Sequence, residues 1–487
     1  MSLMTQVATS SECDASRGKD TIKGPPMTES NANHRNEKLG IYLSQGCTVV
    51  AFLLPIKLSL SYIVLCPLLL TWLYLRGREL PQMLRANTTL SITAPLMFFL
   101  LLTGLSAFLG LSPLNSAAAL TSLFFFALTV PLVASSAKAL PVCTALITGQ
   151  SLAALHSFFD ATFPSTLPKL FLGRVTESGQ LTLSILVALG VLLHWSRITQ
   201  SSTAAKRSQR LNYLLGCIVA ISLLALGFRS EARLSMPLTA LLVVLLLGAA
   251  TTYLKLIRRS TTAAWPATLV TIQIPLLMCA LIVNLKRGPW MGVLVGTVVF
   301  CFLYARRLVA VVVASAAILA TLVAPVRERL LASYEHFTIE GGRSTIWRIG
   351  LELASEYPLG IGYHNSRVLR QFAPEIPPEL NHFHNNLINI ASEIGWLGLA
   401  TFVWLLFAVV RTCFKDIRAP LYVAIGCAII SWQVAGLVEY NFGDSEVTLI
   451  VWVLLGLVIQ RDLRSRDGHD FPTSDSKEQV AWRSDTR

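Results

Sequence analysis

Histidine changes charge closest to neutral pH, so a histidine cluster is the first place to look for acid–base chemistry. Here the densest polar cluster is His382-Phe383-His384-Asn385-Asn386. If residues 384–394 form a helix, Asn385, Asn389 and Glu393 fall at i, i+4 and i+8 on one stripe, and His384 begins it. A neutral imidazole in that place can take a proton from a hydroxyl. The same spacing equally suits two histidines that cap a helix and bond to nearby carbonyls. His-x-His also raises metal ligation, but no third ligand stands at a suitable spacing, so no metal is expected.

Anion chemistry has its own residues. Gly341-Gly342-Arg343-Ser344-Thr345-Ile346-Trp347-Arg348 puts glycines before an arginine and a helix start, with Ser344 or Thr345 as the expected cap. A helix N-terminus beside a guanidinium is a natural phosphate site; a capped helix with a solvated arginine is the plain alternative. Asn284-Leu285-Lys286-Arg287-Gly288-Pro289-Trp290 is a second such start, with Pro289 suited to a first helical position. A fourth cluster, Glu439-Tyr440-Asn441-Phe442-Gly443-Asp444-Ser445-Glu446, is acidic. It reads as an ordinary turn or as a loop that orients a cationic or hydroxyl-rich partner.

The elements that carry these residues are membrane helices. Of 487 residues, 53% are hydrophobic and 14% charged, and the mean hydropathy is +0.59. Soluble domains carry roughly 25% charge, so a soluble enzyme is excluded, as are disordered and fibrous chains. Apolar segments fall near 41–56, 58–75, 89–110, 115–134, 139–158, 179–195, 211–228, 235–253, 265–284, 290–304, 308–325, 395–410, 419–437 and 446–460. The expected fold is an all-α, polytopic transmembrane helix bundle of twelve to fourteen spans. Residues 39–325 and 395–461 hold the spans; residues 1–38 and 462–487 read as disordered cytoplasmic tails. No signal-peptide pattern precedes the first span.

Charge sets the orientation. Lys and Arg number 40 against 27 Asp and Glu, a net +13. The positives concentrate in alternate short loops, as at Arg76/Arg78/Arg85, Arg197/Lys206/Arg207, Arg258/Arg259, Arg306/Arg307 and Arg411/Lys415/Arg418. Those loops are expected to be cytoplasmic, with both termini inside. No basic motif stands on a soluble fold, so nucleic acid is not an expected partner. Arg174, Arg229, Arg233 and Arg287 fall on the outward side at helix ends. They either snorkel to the interface or give the outer face a charge that holds an anionic headgroup. Residues 326–394 form one long, partly helical loop, external by the same alternation and so periplasmic in a Gram-negative cell. Its piece 345–357 is amphipathic, with Ile346, Ile349, Leu353 and Ala354 on one side, and Tyr357-Pro358-Leu359-Gly360-Ile361-Gly362-Tyr363 breaks it. The nine cysteines lie mostly in apolar runs without a CxxC pair and read as small buried hydrophobes.

Taken in order, Lys286 to Trp290, Gly342 to Trp347, Tyr357 to Tyr363, His384 to Leu387 and Glu393 to Gly395 resemble the O-antigen ligase and polymerase superfamily of bacterial envelope glycosyltransferases. The resemblance covers about residues 280–460. It implies a metal-independent, cofactor-free glycosyltransferase of the bacterial inner membrane, with its active site on the periplasmic side. It implies a glycan donor carried on undecaprenyl pyrophosphate. Carried over by motif, Arg287 and Arg343 hold the pyrophosphate and His384 is the base. Arg233 is a further candidate, since Arg229/Arg233 and Arg287 both match the family's first arginine. His382, Asn385, Arg348 and Glu393 are supporting candidates. The first reading is an O-antigen ligase with lipid A-core as acceptor. The alternatives are a polymerase with a lipid-linked glycan acceptor, an O-linked protein glycosyltransferase and, in another class, a transporter of lipid-linked sugar. A transporter is expected to show related halves, and the sequence shows no repeat.

Overall fold

The computed structural model describes residues 29–79, 92–162, 174–199, 265–338, 342–368 and 381–466. The expected segments 211–228 and 235–253, with Arg229 and Arg233, lie outside them, as does the Pro-rich stretch 374–378. Among the described residues the regular elements are all helical. By internal contacts the chain divides into a short unit, Met1–Tyr42, and a large one, Leu43–Arg487. The first helix, α1, covers Glu29–Leu53.

In the large unit follow α2 (Leu58–Arg76), α3 (Thr93–Leu109), α4 (Pro113–Ser136), α5 (Ala139–Thr162), α6 (Arg174–Thr199), α7 (Trp265–Val283), α8 (Arg287–Tyr304) and α9 (Arg306–Leu322). Then come α10 (Ala324–Leu331), α11 (Ser333–Thr338), α12 (Arg343–Glu356), α13 (Asn386–Phe414), α14 (Pro420–Ala435) and α15 (Ser445–Arg466). Among the described residues, six helices are long and apolar enough to cross a membrane, or seven if the pair α9 and α10, bent by 86°, is one span. The chain is an integral membrane protein. The sequence reading of twelve to fourteen spans counts more segments than this. Lys38–Leu53, Thr93–Leu109, Leu269–Val283 and Pro420–Ala435 are apolar but only 10–17 residues long, short of the roughly 20 that cross a bilayer unaided. The apolar run of α15 ends in Arg461, Asp462 and Arg464.

Helix α6 is the axis. Leu181, Leu183, Ile185, Leu186, Val187, Ala188 and Val191 are fully buried, as are the polar Gln180, Thr182 and Ser184, so the helix is enclosed by neighbours on every side. It packs on α5, α7, α8, α14 and α15. Helix α9, in contrast, buries none of its residues and packs on α8.

Close helix approach comes from small residues. Gly288, Gly292 and Gly296 recur every four residues along α8 and form one ridge. A Cβ at Gly292 would collide with the Ser431 carbonyl oxygen, and one at Gly296 would come 3.0 Å from that of Cys427. The ridge therefore lays α8 directly on α14. At its upper end Gly288 abuts Val438 and Glu439, in the segment that follows α14. This close packing sets Arg287 beside Glu439.

The second device is a break in α13. Gly395 has φ 83° and ψ 176° inside the helix, a conformation only glycine takes without strain. The freed backbone groups are bonded by the segment 357–363. Ile361 N–H donates to Ser392 O (2.8 Å), Gly362 N–H to Glu393 O (3.1 Å), and Trp396 N–H to Pro358 O (3.2 Å). The Ser106 hydroxyl of α3 also donates to the Glu393 carbonyl. Broken membrane helices persist only where protein satisfies the exposed backbone, and the Tyr357–Tyr363 motif does so here.

Candidate active site

The site forms where α8, α12 and α13 begin and where the α14–α15 connection passes over them. Helix α12 buries Ile346, Ile349, Leu353 and Ala354, the face read from the sequence. Its start differs from the expectation. Gly342 is the N-cap and makes no side-chain capping bond; because the helix begins at Arg343, Ser344 and Thr345 fall inside the first turn. Helix α8 likewise begins at Arg287, with Lys286 as N-cap, so Pro289 is its third residue. Pro289 is tolerated there because the first four N–H groups of a helix have no partner within it.

Phe383 organises the histidine cluster. It is fully buried in a small core with Ile346, Ile349, Leu353 and Ile361, and its N–H donates to Asn389 Oδ1 at 3.1 Å. With Phe383 turned inward, His382 and His384 flank it, and their rings meet edge to face at 4.1 Å between centroids. His384 has φ 49°, a left-handed turn that directs the chain into α13. The cap of α13 is Asn385 rather than a histidine. Its Oδ1 accepts from Leu387 N–H (2.9 Å) and Ile388 N–H (3.2 Å), and its Nδ2 donates to Leu437 O (2.9 Å). Asn386, which the sequence reading placed in the cluster without a role, is a fully buried hub. Its Nδ2 donates to Asn441 Oδ1 (2.7 Å) and its Oδ1 accepts from Phe442 N–H (3.1 Å), while its own N–H donates to Gly436 O (2.7 Å). These bonds pin residues 436–442 across the start of α13.

That pinning delivers Glu439. Arg343 Nη2 bonds Glu439 Oε1 at 3.2 Å, and His384 Nδ1 faces Glu439 Oε2 at 3.7 Å, longer than a normal hydrogen bond. Burial alone would raise the Glu439 carboxyl; the His384 imidazole, then Arg343 and Lys286, more than offset it, so the group lies below the usual carboxylate range. Burial, followed by the neighbouring His384, pushes the His382 ring down to about 4, so it is neutral at physiological pH. Lys286, His364, His382, His384, Glu439, Asp444 and Glu446 all border one cleft of about 370 Å³.

The structure thus joins His384, His382 and, through Glu439, Arg343. Arg287 does not line the cleft itself but is within electrostatic reach of Arg329, Arg343 and Glu439. Three supporting candidates lie elsewhere. Arg348 is 70% exposed and pairs with Glu352 one turn on. Glu393 is buried, accepts from Ser366 N–H at 3.1 Å and meets the Tyr440 hydroxyl at 3.5 Å. Asn385 is committed to its cap. Arg233 lies outside the described residues. Among the described residues, no three His, Cys, Asp or Glu side chains gather as a metal cage.

Sequence reasoning passed over Arg329, gave Asn386 no role, and left Glu439 in a loop with two readings. The acidic loop was the only signal for Glu439, and it read equally well as a turn. No curated protein matches the chain. Residues 274–403, which contain Arg287, Arg343 and His384, match the family model described as O-Antigen ligase.

Proposed function

We propose that the protein is an O-antigen ligase, which moves a finished glycan from undecaprenyl pyrophosphate to a hydroxyl of lipid A-core. The observation that carries this is the Arg343–Glu439–His384 chain, whose Glu439 and His384 line a polar cleft, with Arg287 within electrostatic reach of Glu439. In the reaction the acceptor oxygen attacks the anomeric carbon, the bond from that carbon to phosphate oxygen breaks, and the electron pair leaves on the pyrophosphate. Arginines hold phosphate oxygens in a fixed fork, so Arg287 and Arg343 stabilise the charge as it develops. The hydroxyl proton goes to His384. Glu439 lies 3.7 Å from Nδ1; closing to a hydrogen bond it selects the tautomer with Nε2 as the base, and it stabilises the imidazolium that forms. Glu439 acts through the histidine and the arginine, as a positioning residue. The reading places the cleft on the periplasmic face of the bacterial inner membrane, with both termini cytoplasmic.

The test is a lipopolysaccharide gel from a host deleted for the gene and rescued with wild type or His384→Ala. A ligase deletion leaves bare core while long glycan accumulates on its lipid carrier, and His384→Ala fails to restore the ladder. Core bearing a single repeat would identify a polymerase instead. A normal ladder in the deletion strain would overturn both, and restoration by His384→Ala would remove the assignment of the base.

A further inference from the structure

Arg329 is the residue of this region that the proposed reaction leaves unused. It lies on α10, which the 86° bend after α9 turns sideways. Two arginines sit close together in Val326-Arg327-Glu328-Arg329, and they part company. Arg327 is exposed and its Nη1 bonds back to Thr321 O of α9 at 3.4 Å. Arg329 is half-buried, and its Nε donates to the Leu285 carbonyl at 3.2 Å, just before α8. Leu285 has φ 53°, a left-handed conformation that costs a branched residue energy, and the turn presents its carbonyl to Arg329. Because Nε is used there, the guanidinium is held beside Arg287, which it reaches electrostatically together with Arg343. Lys286 acts on Glu439 from the same turn. Four cations thus converge, and Glu439 interacts with three of them, Arg287, Arg343 and Lys286, with Arg343 and His384 already engaging it. Like charges gathered at short range repel one another, and an anion carrying more than one charge relieves that repulsion.

We propose that Arg329 is a third guanidinium of the anion site, and that it makes the site select a lipid diphosphate over a lipid monophosphate. This rests on the reading of Arg287 and Arg343 as pyrophosphate clamps. Two arginines suffice for one phosphate. A third, brought in on a separate helix, matches the second phosphate. When the bond to the sugar breaks, the phosphate that leaves gains one negative charge, so the contribution of Arg329 grows along the reaction.

The experiment uses the full-length protein in nanodiscs, with undecaprenyl pyrophosphate and undecaprenyl phosphate as probes and binding read by thermophoresis. Wild type is expected to bind the diphosphate about tenfold more tightly or better, the ratio that one added charge-assisted hydrogen bond supplies. Arg329→Gln keeps an N–H donor for Leu285 and removes the charge. It is expected to lose most of that ratio by weakening the diphosphate alone. Arg329→Lys keeps the charge without the fork and should fall between. A ratio unchanged in Arg329→Gln, or equal weakening for both lipids, overturns the proposal; the second result would make Arg329 a brace for the Leu285 turn. If Arg329→Gln melts early, the Arg329→Lys ratio decides, an unchanged value again counting against the proposal. A wild type that does not distinguish the two lipids would instead remove the pyrophosphate reading. If Arg343→Gln lowers the ratio and Arg329→Gln does not, the inference alone fails.

Discussion

Glu439→Gln keeps the length and shape of the side chain and removes one charge from between Arg343 and His384. At the observed 3.2 and 3.7 Å, each pair of unit charges interacts by roughly 5 kcal/mol at an effective dielectric of about 20. Water reaches about a quarter of each side chain, the exposures being 25% for Glu439, 23% for Arg343 and 21% for His384. Discounted for that screening, about 1–3 kcal/mol remains per pair. The two losses act in opposite directions. The imidazolium formed during transfer loses its counter-charge, so kcat should fall about 10- to 100-fold. Arg343 loses a competitor for phosphate, so the donor KM should stay level or fall. The assay is transfer of a labelled glycan by purified protein in nanodiscs, with the donor titrated at saturating acceptor. A raised donor KM with unchanged kcat would refute the reasoning, because Glu439 would then serve the donor rather than the histidine.

Four further outcomes follow from particular positions. His382 is held down to about 4 by burial and by His384, against about 6.5 in an unfolded chain. Between those values the unfolded chain binds the extra proton, so stability rises with pH through that window and is lost as pH falls. Melting temperatures from pH 7 to 4 should fall less steeply in His382→Asn than in wild type; parallel slopes would refute this. Gly292→Leu should cost about 3 kcal/mol or more, since the Ser431 backbone blocks the added side chain. Gly104→Ala, at a position with open space around it, should be neutral or raise the melting temperature through helix propensity alone, by at most about 1 kcal/mol. Asn385→Ala should cost about 1–2 kcal/mol by removing the α13 cap and should reduce transfer through His384, the residue before it. Unchanged melting and unchanged transfer in that variant would contradict the role given to the cap.

What the sequence disclosed was periodic or local. Apolar run lengths located most helices among the described residues, and a 3.6-residue pattern identified the buried face of α12. Gly341-Gly342 before Arg343 and Gly288-Pro289 after Arg287 marked where two helices start. The cap positions were misplaced by one to three residues, since Gly342 and Asn385 depend on where the chain enters the helix. Glu439 was not legible because its meaning lies in a partner 96 positions away. Its approach depends on the glycine ridge of α8 and the Asn386 hub, and neither looks like active-site chemistry in a linear reading. Arg348 illustrates the converse error. It stands near Arg343 in sequence, but five residues on a helix carry it round to the exposed face.

The break at Gly395 also bears on how the chain enters the bilayer. Helix α13 has 29 residues, about 44 Å at 1.5 Å per residue, against a hydrocarbon slab of about 30 Å. Divided at Gly395, its second half, 396–414, measures about 28 Å and fits that slab unaided. The insertion machinery therefore meets a stop-transfer segment of ordinary length, and Asn389 and Glu393 never have to be partitioned into lipid. The polar half is left at the surface with open backbone carbonyls, and it acquires partners only when residues 357–363 dock. Formation of the histidine cluster therefore requires the docking of residues 357–363 as well as the placement of the span that follows Gly395.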